Sequence, residues 1–280
     1  NKLLKHPRPE VAGPLLEGCV GISDQVLLEV IASGDRDKQK MIARRRSLTP
    51  TMCDELLSHG DASVYLTIVR NPGASISHDA FMKLSDFAKD QAALQAPLVT
   101  RGDTPAPVAF ELFWFLPSEL RRYVLSRFLT DSETLDKILK ITLAVDGADN
   151  SENETPDAKF ADPDKMEELV GIIEKGQIDE ATAMLAQLAG INKTNAKRII
   201  CDSEGEPIAV AMKAIGYPRN EFSAAVEKWR GEDSIITDSQ RPTTELQNLF
   251  DSLSFNKARM LLTYWDWAAD NSGPYALKAA

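Results

Sequence analysis

Cysteine is scarce in this chain. Cys19, Cys53 and Cys201 are the only three among 280 residues, too few and too scattered for a disulfide framework. Reduced, buried thiols in a cytoplasmic protein are the reading they support. Histidine is as sparse: His6, His59 and His78 show no HExxH spacing and no neighbouring cysteine pair, so neither a metal nor another cofactor is expected. Neither a glycine-rich phosphate loop nor a GxSxG elbow is present, and the expectation is a protein that is not an enzyme. No apolar run approaches the roughly 20 residues of a membrane span. No basic segment leading into an apolar core marks a secretory leader. Period-two alternation, the mark of a half-buried strand, is missing as well, which predicts an all-α chain.

Charge is plentiful but unevenly placed. The net charge is −10. Residues 1–145 hold 18 Lys+Arg and 18 Asp+Glu, whereas residues 146–280 hold 14 and 24. The second part would repel a phosphate backbone, which argues against general nucleic-acid binding; the neutral first part still leaves room for a local basic patch.

The organising stretch runs from Asp35 to Ser77, where one pattern is written twice. DRDKQKMIARRRSLT begins at Asp35 and DASVYLTIVRNPGASIS at Asp61. Asp35 and Asp61, Ile42 and Ile68, Ala43 and Val69, and Arg44 and Arg70 are each 26 apart. Each copy has an acidic N-cap, a short apolar seam, a basic residue at its end and a turn. A Thr or Ser (Thr49, followed by Pro50, and Ser77) then opens a second helix. This is the pattern of a helix-pair repeat, in which neighbours stack to bury a face no unit can bury alone. VAGPLLEGCVGISDQVLLEVI, from Val11, reads as a weaker earlier copy, with Leu16 26 residues before Ile42.

Residues 92–107, with three prolines, a glycine and little periodicity, read as a connection. Helical signal returns at Val108–Leu116, at Ser118–Phe128 and after the Thr130/Glu133 capping box. Residues 146–164 form an acidic linker. Five helices follow, at Lys165–Lys175, Ile178–Ala189, Thr194–Ile200, Pro207–Ile215 and Pro218–Trp229. Beyond a second linker, one long amphipathic helix is predicted, with Leu246, Leu249, Phe250, Leu253, Met260, Leu261 and Tyr264 on one face. The expected domains are therefore a helical-repeat domain over 1–145, a linker over 146–164, a second helical block over 165–230, and a linker with the C-terminal helix over 231–280.

Two places invite a partner. Arg44, Arg45 and Arg70, with Arg46 beside them, form a basic ladder if the copies stack, suited to an acidic peptide, a phosphate or a nucleic-acid backbone, and on the scaffold reading to acidic groups on a protein partner. Cations at helix C-termini also meet the macrodipole without any ligand. The second place is the face of Leu249, Phe250, Leu253, Met260, Tyr264 and Trp265, which either docks on the chain itself or serves self-association as a homodimer. DGADNSENE and DSEGE both lack the alternating acids and sixth-position glycine of a calcium loop.

VAGPLLEGCVGISDQVLLEVI, the helix pairs with IVRNP, and MLAQLAGINKTNAKRIICDSEGEPIAVAMKAIGYPRNEF together resemble a mainly alphaproteobacterial family. It is known as a domain of unknown function, DUF2336-like, with helical repeats similar to HEAT and armadillo arrays. The resemblance covers most of residues 7–230. It implies an α-solenoid-like stack of HEAT-like helix pairs in a bacterial cytoplasmic protein, and it supplies no catalytic or ligand residues. The function expected is a protein–protein interaction or regulatory scaffold using the face of the stack. The alternative is a nucleic-acid-binding repeat protein, whose basic groove would need Arg121, Arg122 and Arg127 on the same face.

Overall fold

Four helix starts lie where the capping residues place them. The Asp35 carboxylate accepts from the Lys38 N–H (3.2 Å) and Asp61 from the N–H groups of Ser63 and Val64 (2.9 and 3.1 Å). The Thr49 and Ser77 hydroxyls accept from Met52 and Ala80. Each satisfies donors that a helix N-terminus leaves open. The computed structural model describes residues 3–4, 6, 9–59, 61–128, 161–229 and 242–271. Among these the chain is all-α. The one extended pairing is an isolated parallel bridge between Leu48 and Ala74. The helix expected after Thr130, most of the acidic linker and most of the second linker lie outside the described residues.

Two compact units divide between Leu120 and Arg121. The first holds α1 (Pro9–Gly18), α2 (Asp24–Ala32), α3 (Arg36–Ala43), α4 (Pro50–Ser58), α5 (Ala62–Arg70), α6 (His78–Asp90), α7 (Ala92–Thr100), α8 (Ala106–Leu112) and a short 3₁₀ turn, Phe113–Phe115. Helix α1 packs on α3, α3 on α5 and α5 on α7; α2 packs on α4, α4 on α6 and α6 on α8. Odd and even helices thus form two rows. Leu16, Ile42 and Ile68 are all fully buried, and each such side chain contributes about 1.5–3 kcal/mol.

The segment 92–107 is corrected. It is not a connection: α7 occupies Ala92–Thr100, with Pro97 inside it. Asp61 and Gln91, the residues before α5 and α7, are 30 apart. The spacing exceeds 26 because α6 has 13 residues where α4 has 9. With that offset Leu98 and Val99 take the places of Ile68 and Val69, and both are buried. Packing on α5 and α6 outweighs the proline, which removes one N–H near the helix end.

The second unit contains α10 (Pro163–Glu174), α11 (Ile178–Ala189), α12 (Lys193–Ile200), α13 (Glu206–Ile215), α14 (Arg219–Lys228), α15 (Thr243–Ser252) and α16 (Phe255–Asn271). Helix α9 (Ser118–Phe128) crosses the division. Helix α13 is the unit's centre, buried from Glu206 to Met212 and again at Ala214 and Ile215. It ends at Gly216, whose φ of 85° suits a residue without a Cβ.

The single long C-terminal helix is also corrected. Leu253 is extended (φ −90°, ψ 133°), and Ser254 starts α16 by accepting from the Lys257 N–H (3.3 Å). Both segments then reach α13. Phe250 stacks on Phe222 with ring centroids 4.3 Å apart, while Asp266 of α16 accepts from the Asn192 N–H (2.8 Å) at the start of α12.

Candidate functional site

The C-termini of α1, α3, α5 and α7 meet along one edge of the first unit. A helix C-terminus leaves carbonyls without intrahelical partners and carries partial negative charge. Here the following copy supplies the missing donors. Arg45 donates from Nη1 to the Leu16 carbonyl (2.6 Å) and from Nη2 to that of Cys19 (2.8 Å). Asn71 Nδ2 donates to the carbonyls of Ala43 and Arg45 (2.8 and 2.7 Å). Arg101 donates to the carbonyls of Val69, Asn71 and Ala74 (3.1, 2.5 and 2.5 Å). Arg45, Asn71 and Arg101 stand at matching places, 26 and 30 residues apart.

A second set of equivalent donors joins α3, α5 and α7 each to the helix before it. Gln39 Nε2 donates to the Ile31 carbonyl (2.9 Å), Tyr65 Oη to Leu57 (2.6 Å) and Gln95 Nε2 to Ala88 (3.0 Å). Sequence reasoning missed both sets because Arg, Asn, Gln and Tyr share no composition signal. The available signal was position: one donor four residues after each N-cap residue, another just beyond each helix end.

These contacts sort the arginines. Arg45, expected to meet a partner, is half-buried and caps the end of α1. Arg44 is exposed and pairs with Glu17 at 3.2 Å. Arg46 and Arg70 are exposed, and neither has an ion pair among the described residues. Arg101 also pairs with Asp103, Nε to Oδ1 at 2.6 Å. The edge therefore holds Arg44, Arg45, Arg46, Arg70 and Arg101 against Glu17 and Asp103. Helix ends that would ordinarily be negative become positive, because whole guanidinium charges cover fractional carbonyl ones. Beside Arg70 lies a cleft of about 510 Å³ between the ends of α5 and α7, bordered by Val69, Pro72, Pro97, Thr100 and Gly102.

Of the other arginines, Arg121 is buried and paired with Asp202 (2.7 Å), with Glu206 at 3.6 Å, and Arg122 pairs with Glu245 (2.7 Å). On the C-terminal face Leu249, Phe250, Leu253, Tyr264 and Trp265 are buried, and Met260 is half-buried. That face docks within its own unit.

Nothing among the described residues forms a group of His, Cys, Asp and Glu that could hold a metal ion, and none of the described helices is long and apolar enough to cross a membrane. Of the three thiols expected to be buried only Cys53 is, Cys19 being half-buried and Cys201, at the end of α12, exposed; burial pushes the Cys53 thiol up to about 11 and leaves it a poor nucleophile at neutral pH.

The family model for DUF2336, described as an uncharacterised protein conserved in bacteria, matches residues 11–263. The chain belongs to this family. The match takes in both units, so the Arg44–Arg101 edge and the α13 core are parts of one DUF2336 sequence. No curated protein and no solved structure matches it.

Proposed function

We propose that this DUF2336 chain is a non-enzymatic interaction module whose first unit is a short HEAT-like solenoid. The two rows of helices and the equivalent caps at Arg45, Asn71 and Arg101 support that architecture. The observation that carries the functional reading is the positive edge: Arg44, Arg46 and Arg70 are held outward, while Arg45 and Arg101 serve the fold. A scaffold needs such a division between side chains that fix its shape and side chains that meet a partner.

The test is affinity capture from bacterial lysate with the full chain and with the Arg44→Glu/Arg70→Glu variant, compared by quantitative mass spectrometry. The reading expects specific proteins to be depleted at least fivefold in the variant, with thermal melting unchanged. An identical captured set overturns it. Nucleic acid that co-purifies and dissociates steeply with rising salt, as phosphate contacts require, also overturns it.

A further inference from the structure

We infer that the partner-facing part of this edge is a docking site for a short acidic peptide, with carboxylates on Arg44, Arg46 and Arg70 and an apolar side chain in the cleft beside Arg70. This rests on the interaction-module reading above and gives it a ligand chemistry. Charge sets the first requirement. The first unit carries 13 Lys+Arg against 15 Asp+Glu, so it is slightly negative as a whole. The edge nonetheless gathers five arginines against two carboxylates. A long polyphosphate backbone would run off this patch onto acidic surface, whereas a short peptide need not.

Spacing sets the second. Arg44 and Arg70 are equivalent residues at the ends of α3 and α5, which pack directly on each other. Packed helix axes lie about 8–10 Å apart. An extended chain spans that distance in about three residues, so acids three residues apart can reach both arginines.

The cleft sets the third. Pro72 and Pro97 border it above the buried Val69, Arg70 and Thr100 are exposed beside it, and the one carboxylate in its lining, Asp103, is paired with Arg101. A carboxylate on Arg70 therefore brings a neighbouring aliphatic residue to the cleft. Gly102 provides an independent handle. A Cβ built there meets nothing within 4 Å, so a larger side chain at this lining position is accommodated with the backbone in place.

The probe is a fluorescein-labelled dodecapeptide of Glu-Leu-Ala repeats, with acids every third residue. Its controls are the same peptide with Gln for Glu, the same peptide with Ser for Leu, and a single-stranded oligonucleotide of equal charge. Binding to the full chain is read by fluorescence anisotropy. The Glu-Leu peptide should bind at least tenfold more tightly than either peptide control or the oligonucleotide. Arg44→Gln/Arg70→Gln should weaken it about tenfold, and Gly102→Tyr should do so while retaining the wild-type melting temperature. Equal binding of the Gln or Ser peptide, tighter binding of the oligonucleotide, unchanged affinity in both variants, or no binding at millimolar peptide overturns the inference. Should partner capture still depend on Arg44 and Arg70 after such a result, the module reading stands and only the ligand chemistry falls.

Discussion

Arg101 holds three backbone carbonyls and one carboxylate with a single guanidinium, and its side chain is only 7% exposed. A buried acceptor left without its donor costs more than the same bond contributes when made. Arg101→Ala should therefore lower stability by about 3 kcal/mol, measured as a shift in the urea midpoint. Arg101→Lys should recover less than half of that, since a point charge cannot imitate the planar fork. Asp61 illustrates a different dependence. The Ser63 hydroxyl, then the Val64 N–H and the Arg36 charge, hold its carboxyl below the ordinary value of 3.8. Asp35 is also lowered: burial pushes it up but is outweighed by the hydrogen bonds and charge of Lys38. A depressed folded value means the native state binds protons less readily than the unfolded chain. The stabilisation is thus complete above about 3.8 and disappears as pH falls through the lower folded values. Asp61→Asn, still able to cap, should flatten that acid limb of a urea-midpoint titration.

At the scale of elements, the turns are as informative as the helices. The loop after α3 and the loop after α5 touch through the Leu48 N–H on the Gly73 carbonyl and the Ser75 N–H on the Leu48 carbonyl, both at 3.0 Å. Leu48 and Ala74 are again 26 apart. A Cβ on Gly73 would lie 1.9 Å from the Arg46 carbonyl oxygen, so Gly73→Ala must push the two loops apart. We expect a loss of about 2–4 kcal/mol, seen in thermal melts, while Gly102→Ala in the next loop leaves the melt unchanged. The caps Asp35, Thr49, Asp61 and Ser77 were legible in the sequence because each is a local signal, a polar side chain beside its own helix. So were α10 to α14, whose apolar seams are local signals and three of which stop at Gly176, Gly190 and Gly216. Helix α7 was not legible: Pro97 interrupts it and its stabilisation comes from α5 and α6, which no local window contains. The break at Leu253 was hidden because its side chain continues the apolar seam even as its backbone leaves the helix. Half of the candidate edge was legible too, since Arg44 and Arg70 fall at equivalent places. That Arg45 turns inward could not be read, because its carbonyl acceptors lie 26 and 29 residues earlier.

On the scale of the whole molecule, the second unit is organised around a helix with no exposed face. Glu206 at the start of α13 is 0% exposed. Nearby, Asp202 accepts from the N–H groups of Glu204 and Gly205, both at 3.1 Å, and Arg121 supplies the opposing charge. Removing one member of a buried charge cluster strands the others. Arg121→Leu should destabilise this unit by about 3–5 kcal/mol. Hydrogen exchange should show the loss as faster exchange in α13, with α3 and α5 unaffected. The first unit distributes its polar contacts differently: the bonds of Arg45, Asn71 and Arg101 recur along it, and each helix pair depends on its neighbour.

That dependence has a direction. Arg45, Asn71 and Arg101 all reach backward, toward chain already made, and α1 cannot close its end until Arg45 has been added. During synthesis on the ribosome every nascent pair therefore waits, with open carbonyls, for the pair after it. Trimming the unit from its later side would uncover those carbonyls, whereas trimming from its earlier side would idle the side-chain donors and uncover one acceptor, the Gly73 carbonyl, only when Leu48 is lost. Shortened forms should accordingly survive losses at the front far better than losses at the back.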